Sequence, residues 1–220
     1  MMSPSSSAPR PRPRGWTRLA AVAGLVLTLG LGGCASVYLV DSEVRSFARW
    51  SPPPAAAAPQ WYLFDRLPSQ NEGPAARAQT ELEQLALQQL APLGWRVAGT
   101  DDPAPTWRVQ VQASTLRLPH APWESPADAF GPGYRMGRLP SGQAFWMPGG
   151  MRIATPYYER RLSLLVRDAR TGQVVYETQA AHDGRWNDSP EIWRAMLSAA
   201  LRDFPQPPAG QRHIAIEVPR

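Results

Sequence analysis

The chain has one cysteine, Cys34, three histidines and no lysine at all among 220 residues. A single thiol excludes a disulfide framework, so the fold must be held by a hydrophobic core. None of the histidines, His120, His182 and His213, stands at H-x-H or H-x-x-x-H spacing from another. A zinc site would therefore need ligands from distant parts of the chain, and no metal or other cofactor is expected. There is no G-x-S-x-G elbow, no glycine loop that would cradle phosphate and no EF-hand pattern; Asp101-Asp102 before Pro103 reads as a turn. The one extended apolar run, Leu19 to Leu31, is 13 residues long. A membrane-spanning helix needs roughly 20, so that run is too short to be a stable anchor.

All 23 basic residues are arginine, against 18 acids, and the sequence pI is about 10.0. Such a balance invites a nucleic-acid partner, but Arg10, Arg12, Arg14 and Arg18 precede Cys34 and no acid does. Without residues 1–33 the balance falls from +5 to 19 minus 18, or +1. A nearly neutral domain has no electrostatic case for binding nucleic acid.

Residues 1–33 read as an export signal: a Pro/Arg-rich start, the apolar run, then small residues. Leu31-Gly32-Gly33-Cys34 has the form of a lipobox, in which small side chains pass the cleavage site and the thiol receives diacylglycerol. The competing reading is an ordinary signal-peptidase site with a stray cysteine. Acylation would remove the lone thiol, and the several chains of a lipoprotein hold firmly where one would not. Covalent lipid on Cys34 is thus the expected modification, with the membrane as partner through the acyl anchor. Ala35 is not the aspartate that retains lipoproteins in the inner membrane, so the expected location is the outer membrane, facing the periplasm. Ala35 and Ser36 (residues 34–36 with the cysteine) form a very short tether to a single domain over 37–220.

Within that domain, Val37–Val44 and Gln60–Leu67 read as strands joined by the stiff SPPPAAAAP segment, Ser51 to Pro59. Pro74–Leu93 reads as a helix whose Ala78, Leu82, Leu85, Ala86, Leu90 and Leu93 share a face, with Gln and Glu opposite. Trp107, Val109, Val111 and Ala113 alternate with polar residues as one buried strand face. Leu162–Val166 and Val174–Thr178 read as a hairpin turning at Asp168–Gly172. Ser189 caps a second helix with Pro190 next, and Trp193, Met196, Leu197, Ala200, Leu201 and Phe204 follow at helical spacing. Ile214, Ile216 and Val218 alternate as an edge strand. The predicted fold class is α+β, a small mixed or antiparallel sheet with two helices packed on one face.

The segment 119–156 fits none of these elements. It is rich in proline and glycine, yet holds Trp123, Phe130, Tyr134, Phe145, Trp146 and Met147. Large apolar groups are uncommon in disordered linkers and enriched at interfaces, and Trp and Tyr favour the bilayer surface. Three readings stay open: the segment folds back on its own domain, contacts a partner or membrane, or is disordered.

In their order along the chain, the lipobox, VRSFARW (Val44–Trp50), YLFDRLPSQ (Tyr62–Gln70), the Leu-rich helix closing in LGW, WRVQVQA, YERRLSLLVRDARTGQVVYE and the helix ending in DFP resemble the bacterial lipoproteins grouped as domain of unknown function 4136. The resemblance spans about Val37 to Phe204. It implies a periplasm-facing lipoprotein with a small α+β domain, and carries no activity and no catalytic residues to this chain.

The expected role is therefore a non-enzymatic binding or envelope-assembly module that engages an envelope protein or cell-envelope polymer, in an oligomeric state the sequence does not fix. One alternative is an envelope hydrolase using the His182–Asp188 loop, with His182 as base; adjacent His182 and Asp183 on an extended segment would point apart, against a direct pair. Another is a binder of lipid or a small apolar ligand between sheet and helices.

Overall fold

The computed structural model describes residues 37–54, 58–124, 134–148 and 155–219, with the backbone alone for 134–137 and 145–148. Cys34 and Phe130 lie outside the described residues, as does the signal segment.

The body formed by Val37–Val218 is built on a seven-stranded sheet, more extensive than the small sheet expected. Its strands are β1 (Val37–Ala48), β2 (Gln60–Phe64), β3 (Trp95–Val97), β4 (Trp107–Leu118), β7 (Tyr157–Asp168), β8 (Val174–Gly184) and β9 (Gln211–Pro219). They lie side by side in the order β3-β2-β4-β7-β8-β1-β9. The remaining strands, β5 (Tyr134–Arg138) and β6 (Ala144–Pro148), pair only with each other as a separate hairpin.

The sheet is mixed. β4, β7, β8 and β1 form an antiparallel core, whereas β2 runs parallel to both β3 and β4. Parallel neighbours require a crossover, here helix α1 (Gly73–Leu90) between β2 and β3. A 3-10 turn at Ala91–Leu93 follows, and Gly94 at φ +81° closes it. The chain thereby re-enters the sheet in LGW, through a strand only three residues long and too short to show a period in the sequence. The predicted hairpin is present: Gly172, at φ +72°, donates to Asp168 O (2.8 Å), and the Asp168 carboxylate accepts from the Arg170 and Thr171 amides. Left-handed backbone costs a residue with a Cβ about 1–2 kcal/mol, so Gly172→Val should lower the urea unfolding free energy by that amount.

Each long strand alternates, so one sheet face is buried. Val40 and Val44 of β1, Val109 and Val111 of β4, Leu162, Leu164 and Val166 of β7, and Tyr176 and Ala180 of β8 join one core. Leu82, Leu85, Ala86 and Leu90 of α1 and Ile192, Met196, Leu197 and Ala200 of α2 (Pro190–Ala200) complete it. Small residues let α2 approach the sheet closely. Its last carbonyls would be orphans, but Ala200 O accepts from Thr178 Oγ1 (3.0 Å), which also bonds Ser46 Oγ (2.8 Å). At the end holding β2 and β3, Trp50, Trp95, Trp107, Tyr176 and Phe204 form an aromatic cluster with ring centroids 4.8–6.3 Å apart.

Candidate functional site

The two faces of the sheet offer two different sites. On the helix side, the buried face of β4 does not continue to Ala113 as the alternation implies: Ala113 is exposed. Around Ala113–Thr115 there is a cleft of about 810 Å³ between α1 and the start of α2, lined by Ala78, Leu82, Leu85, Ala113, Pro190 and Trp193 among others. Its walls are mainly apolar. Ala78, counted with the core stripe in the sequence, is exposed and faces this opening, whereas Trp193 is half-buried, packing on the core while lining the cleft.

Polar groups beside the cleft are consumed by structure. Gln79 and Glu83 are buried in α1, against the expectation that its Gln and Glu face outward. Gln79 Nε2 donates to Val111 O (3.1 Å) and to Glu83 Oε1 (3.0 Å), while Arg66 grips both Glu83 oxygens at 2.7 and 2.5 Å. Such fully paired groups fix the first turns of α1 to the sheet. At the far wall, Ser189 caps α2 by accepting from Ile192 N at 3.4 Å. The neighbouring Asp188 side chain turns away from the helix: one oxygen accepts from Arg160 Nε and the other from Thr115 Oγ1, both at 2.6 Å.

Arg160 is the largest of the fully buried side chains. It sits on the helix face of β7, in register with Leu162 and Leu164, and that parity is the signal in YERRLSLL that distinguishes Arg160 from exposed Arg161. The guanidinium also donates to Trp186 O and lies 5.3 Å from the centre of the Tyr158 ring.

His182 stands directly opposite Arg160 on β8. It is buried, and its Nδ1 lies 2.7 Å from Asp41 O. A carbonyl only accepts, so Nδ1 carries the proton. Burial is the main cause that pushes the His182 pKa down, with the Arg160 charge adding to it. Asp183 points to the other face and accepts from the Tyr157 hydroxyl; burial, then this bond, pushes the Tyr157 pKa up to about 12. The sheet therefore separates the two members of the imagined base-orienter pair. Because folded His182 binds its proton less readily than the unfolded side chain, its contribution to stability is present above the ordinary value of 6.5 and is lost as pH falls below it. His182→Asn, which keeps an N–H near Nδ1, should flatten the decline of Tm between neutral pH and pH near 5, read as the difference between variant and parent. Among the described residues no group of three or more His, Cys, Asp or Glu is placed to hold a metal ion.

The opposite sheet face has no helix on it among the described residues. Register brings Glu43, Ala181, Arg161 and Ser114 into one row and Arg45, Gln179, Ser163 and Gln112 into the next. These rows floor an open groove of about 820 Å³, bordered by Leu67, Ser69 and Gln70. Arg45 pairs with Gln211 and lies 3.8 Å from Glu43, whereas Arg161 has no ion-pair partner among the described residues. Amide, hydroxyl and both signs of charge thus line a path across four strands.

The aromatic segment is only partly loop. Residues Tyr134–Arg138 and Ala144–Pro148 pair in register, Tyr134 with Pro148, Met136 with Trp146 and Gly137 with Phe145, placing Met147 opposite Arg135. Leu139 N to Gln143 O (2.9 Å) and Gly142 at φ +86° close the turn. Pro and Gly hide the alternation in the sequence, although SG before a β-rich run is a turn signal. Trp123 has its ring edge-on to Tyr157 at 5.1 Å, and remains exposed. The start of the segment thus folds back on the sheet end.

No curated protein matches the chain. Among solved structures it is similar to a PDZ domain protein from Parabacteroides distasonis ATCC 8503 at 14% identity and a TM-score of 0.49, covering 92% of this chain and 43% of that one. The chain thus spans less than half the length of that relative. It is also similar to the PelC dodecamer from Paraburkholderia phytofirmans, at 11% identity and a TM-score of 0.39, over 73% of this chain and 94% of that one. Neither likeness is close enough to assign a partner or an activity. The profile that matches is described as "Domain of unknown function (DUF4136)" and extends over residues 43–206. The chain belongs to the DUF4136 domain family.

Proposed function

We propose that this chain is a lipid-anchored lipoprotein of the outer membrane, facing the periplasm, whose domain works without catalysis and holds an envelope protein or cell-envelope polymer on its uncovered sheet face. The carrying observation is the order apolar run, Leu31-Gly32-Gly33-Cys34, then strand β1 from Val37, which leaves two residues between acylated thiol and fold. No described helix is long and apolar enough to cross a membrane, so acylation of Cys34 is the attachment this reading requires. Support for the binding role comes from the polar groove, whose hydrogen-bonding groups repeat along strands at a spacing an extended polymer can follow. Labelled palmitate should enter the protein and vanish in Cys34→Ser, with the Cys34→Ser chain leaving the membrane fraction. Unchanged labelling, or a mature chain beginning elsewhere with a free thiol, would contradict the anchor.

A second reading is favoured by the apolar cleft over Ala113: a lipid or small apolar ligand held between sheet and helices. Native mass spectrometry of protein extracted from membranes should then show a co-purifying lipid that disappears in Ala113→Phe, which fills the floor. A bare parent mass would remove this reading. The hydrolase alternative finds no support in the arrangement of His182 and Asp183 on opposite faces.

A further inference from the structure

The sheet has two ends, and the exposed tryptophans of the described residues gather at one of them. β1 starts where β8 finishes, β7 starts and β4 finishes: Leu118 is opposite Tyr157, and Tyr158 opposite Gly184, while β1 runs past Ala181 from Glu43 back to Val37. At this end Val37 is 52% exposed, Leu39 59%, Leu116 57%, Trp123 70% and Trp186 54%. Tyr38 lies against Trp186 (6.0 Å) and Tyr157 against Trp123 (5.1 Å), so the exposed indoles rest on further rings. Three of the charges here are internally matched, Glu124 with Arg185 and Asp183 with the Tyr157 hydroxyl.

We propose that this end of the domain docks into the headgroup layer of the bilayer that carries its anchor. The inference rests on the acylation of Cys34 proposed above. Three peptide steps separate Cys34 from Val37, about 10 Å at most when extended. One headgroup layer is itself roughly 5–8 Å thick. The tether therefore cannot lift Val37 far from the membrane surface, and the end of β1 that it holds down is the end carrying the apolar cluster. Tryptophan and tyrosine are the side chains favoured at that depth, each with an apolar body and a polar edge. Docking would fix the sheet upright on the membrane, with the polar groove facing sideways along it.

The test uses the full-length lipidated protein in vesicles of phosphatidylethanolamine and phosphatidylglycerol. With Cys34 acylated, a cysteine introduced by Leu116→Cys, Trp123→Cys or, at the opposite end, Phe47→Cys is the only thiol for a nitroxide label. All three sites are exposed, Phe47 at 66%, so folding should survive. Docking predicts that labels at 116 and 123 become severalfold less accessible to a nickel chelate and more accessible to oxygen on incorporation, with 47 unchanged. Water-like labels at all three positions on vesicle-bound protein would overturn docking and leave the anchor standing. Shielding of 116 and 123 from both reagents would also overturn it, since protein rather than lipid would then cover them. Failure of the parent to associate with vesicles would overturn the anchor, and docking with it.

Discussion

Trp95→Ala is expected to cost about 3–5 kcal/mol of unfolding free energy, a range typical of buried tryptophan truncation. Trp95 is 3% exposed although it belongs to the three-residue strand β3 at the sheet edge. Three backbone pairings with β2 cannot hold so short a strand alone; the indole does, packed on Phe204 at 5.2 Å and on Tyr62 and Trp107 at 6.0 Å. Removing it should release β3 and loosen the return of α1, since only the turn Ala91–Leu93 and Gly94 separate that helix from β3. Urea unfolding should show a lower midpoint, and amide exchange should show the Gln60–Phe64 strand losing protection together with Trp95–Val97. A loss under about 1 kcal/mol would mean that neighbouring rings refill the space.

The second large effect concerns the buried cation. Asp188→Ala leaves the Arg160 guanidinium, whose side chain is 0% exposed, without its carboxylate. Removing one partner of a buried pair costs about 3–5 kcal/mol; because Asp188 is itself 36% exposed, about 3 kcal/mol is expected here. Arg160 Nη1 already lacks a partner among the described residues, which leaves little to compensate. Combining Asp188→Ala with Arg160→Met should recover most of the loss, because an apolar side chain needs no carboxylate. Additive losses in the double variant would show that Asp188 acts through Thr115 or the start of α2 rather than through Arg160.

These two sites show how differently parts of the fold could be read. Alternation over Trp107–Val111 of β4 and in β7 and β8, and the Ser189-Pro190 start of α2, were legible because local pattern and burial agree there. β3 was not, since three residues carry no period and their strand character depends on Trp95 finding a ring cluster made by residues far away in the chain. Burial of Gln79 and Glu83 broke the helical pattern for a related reason: Arg66 and the Val111 carbonyl, which satisfy them, come from elsewhere. The aromatic segment's hairpin was hidden by its prolines and glycines. Of the binding surfaces, a ligand place between sheet and helices could be expected in outline, but not the residues that line the cleft or the groove. The cleft exists because the helices stop covering β4 at Ala113, and the groove because four strands bring Arg45, Gln179, Ser163 and Gln112 side by side.

The proposed role depends on whether that groove is occupied in the envelope. The most direct measurement is photo-crosslinking in living cells from a probe at Gln179, on the uncovered face, against the same probe at Gln88, exposed on α1. A discrete adduct with an envelope protein or polymer is expected from position 179 alone, lost when Arg161→Glu reverses the Arg161 charge in the groove. Only self-adducts from position 179, or the same products from both positions, would contradict the proposed role.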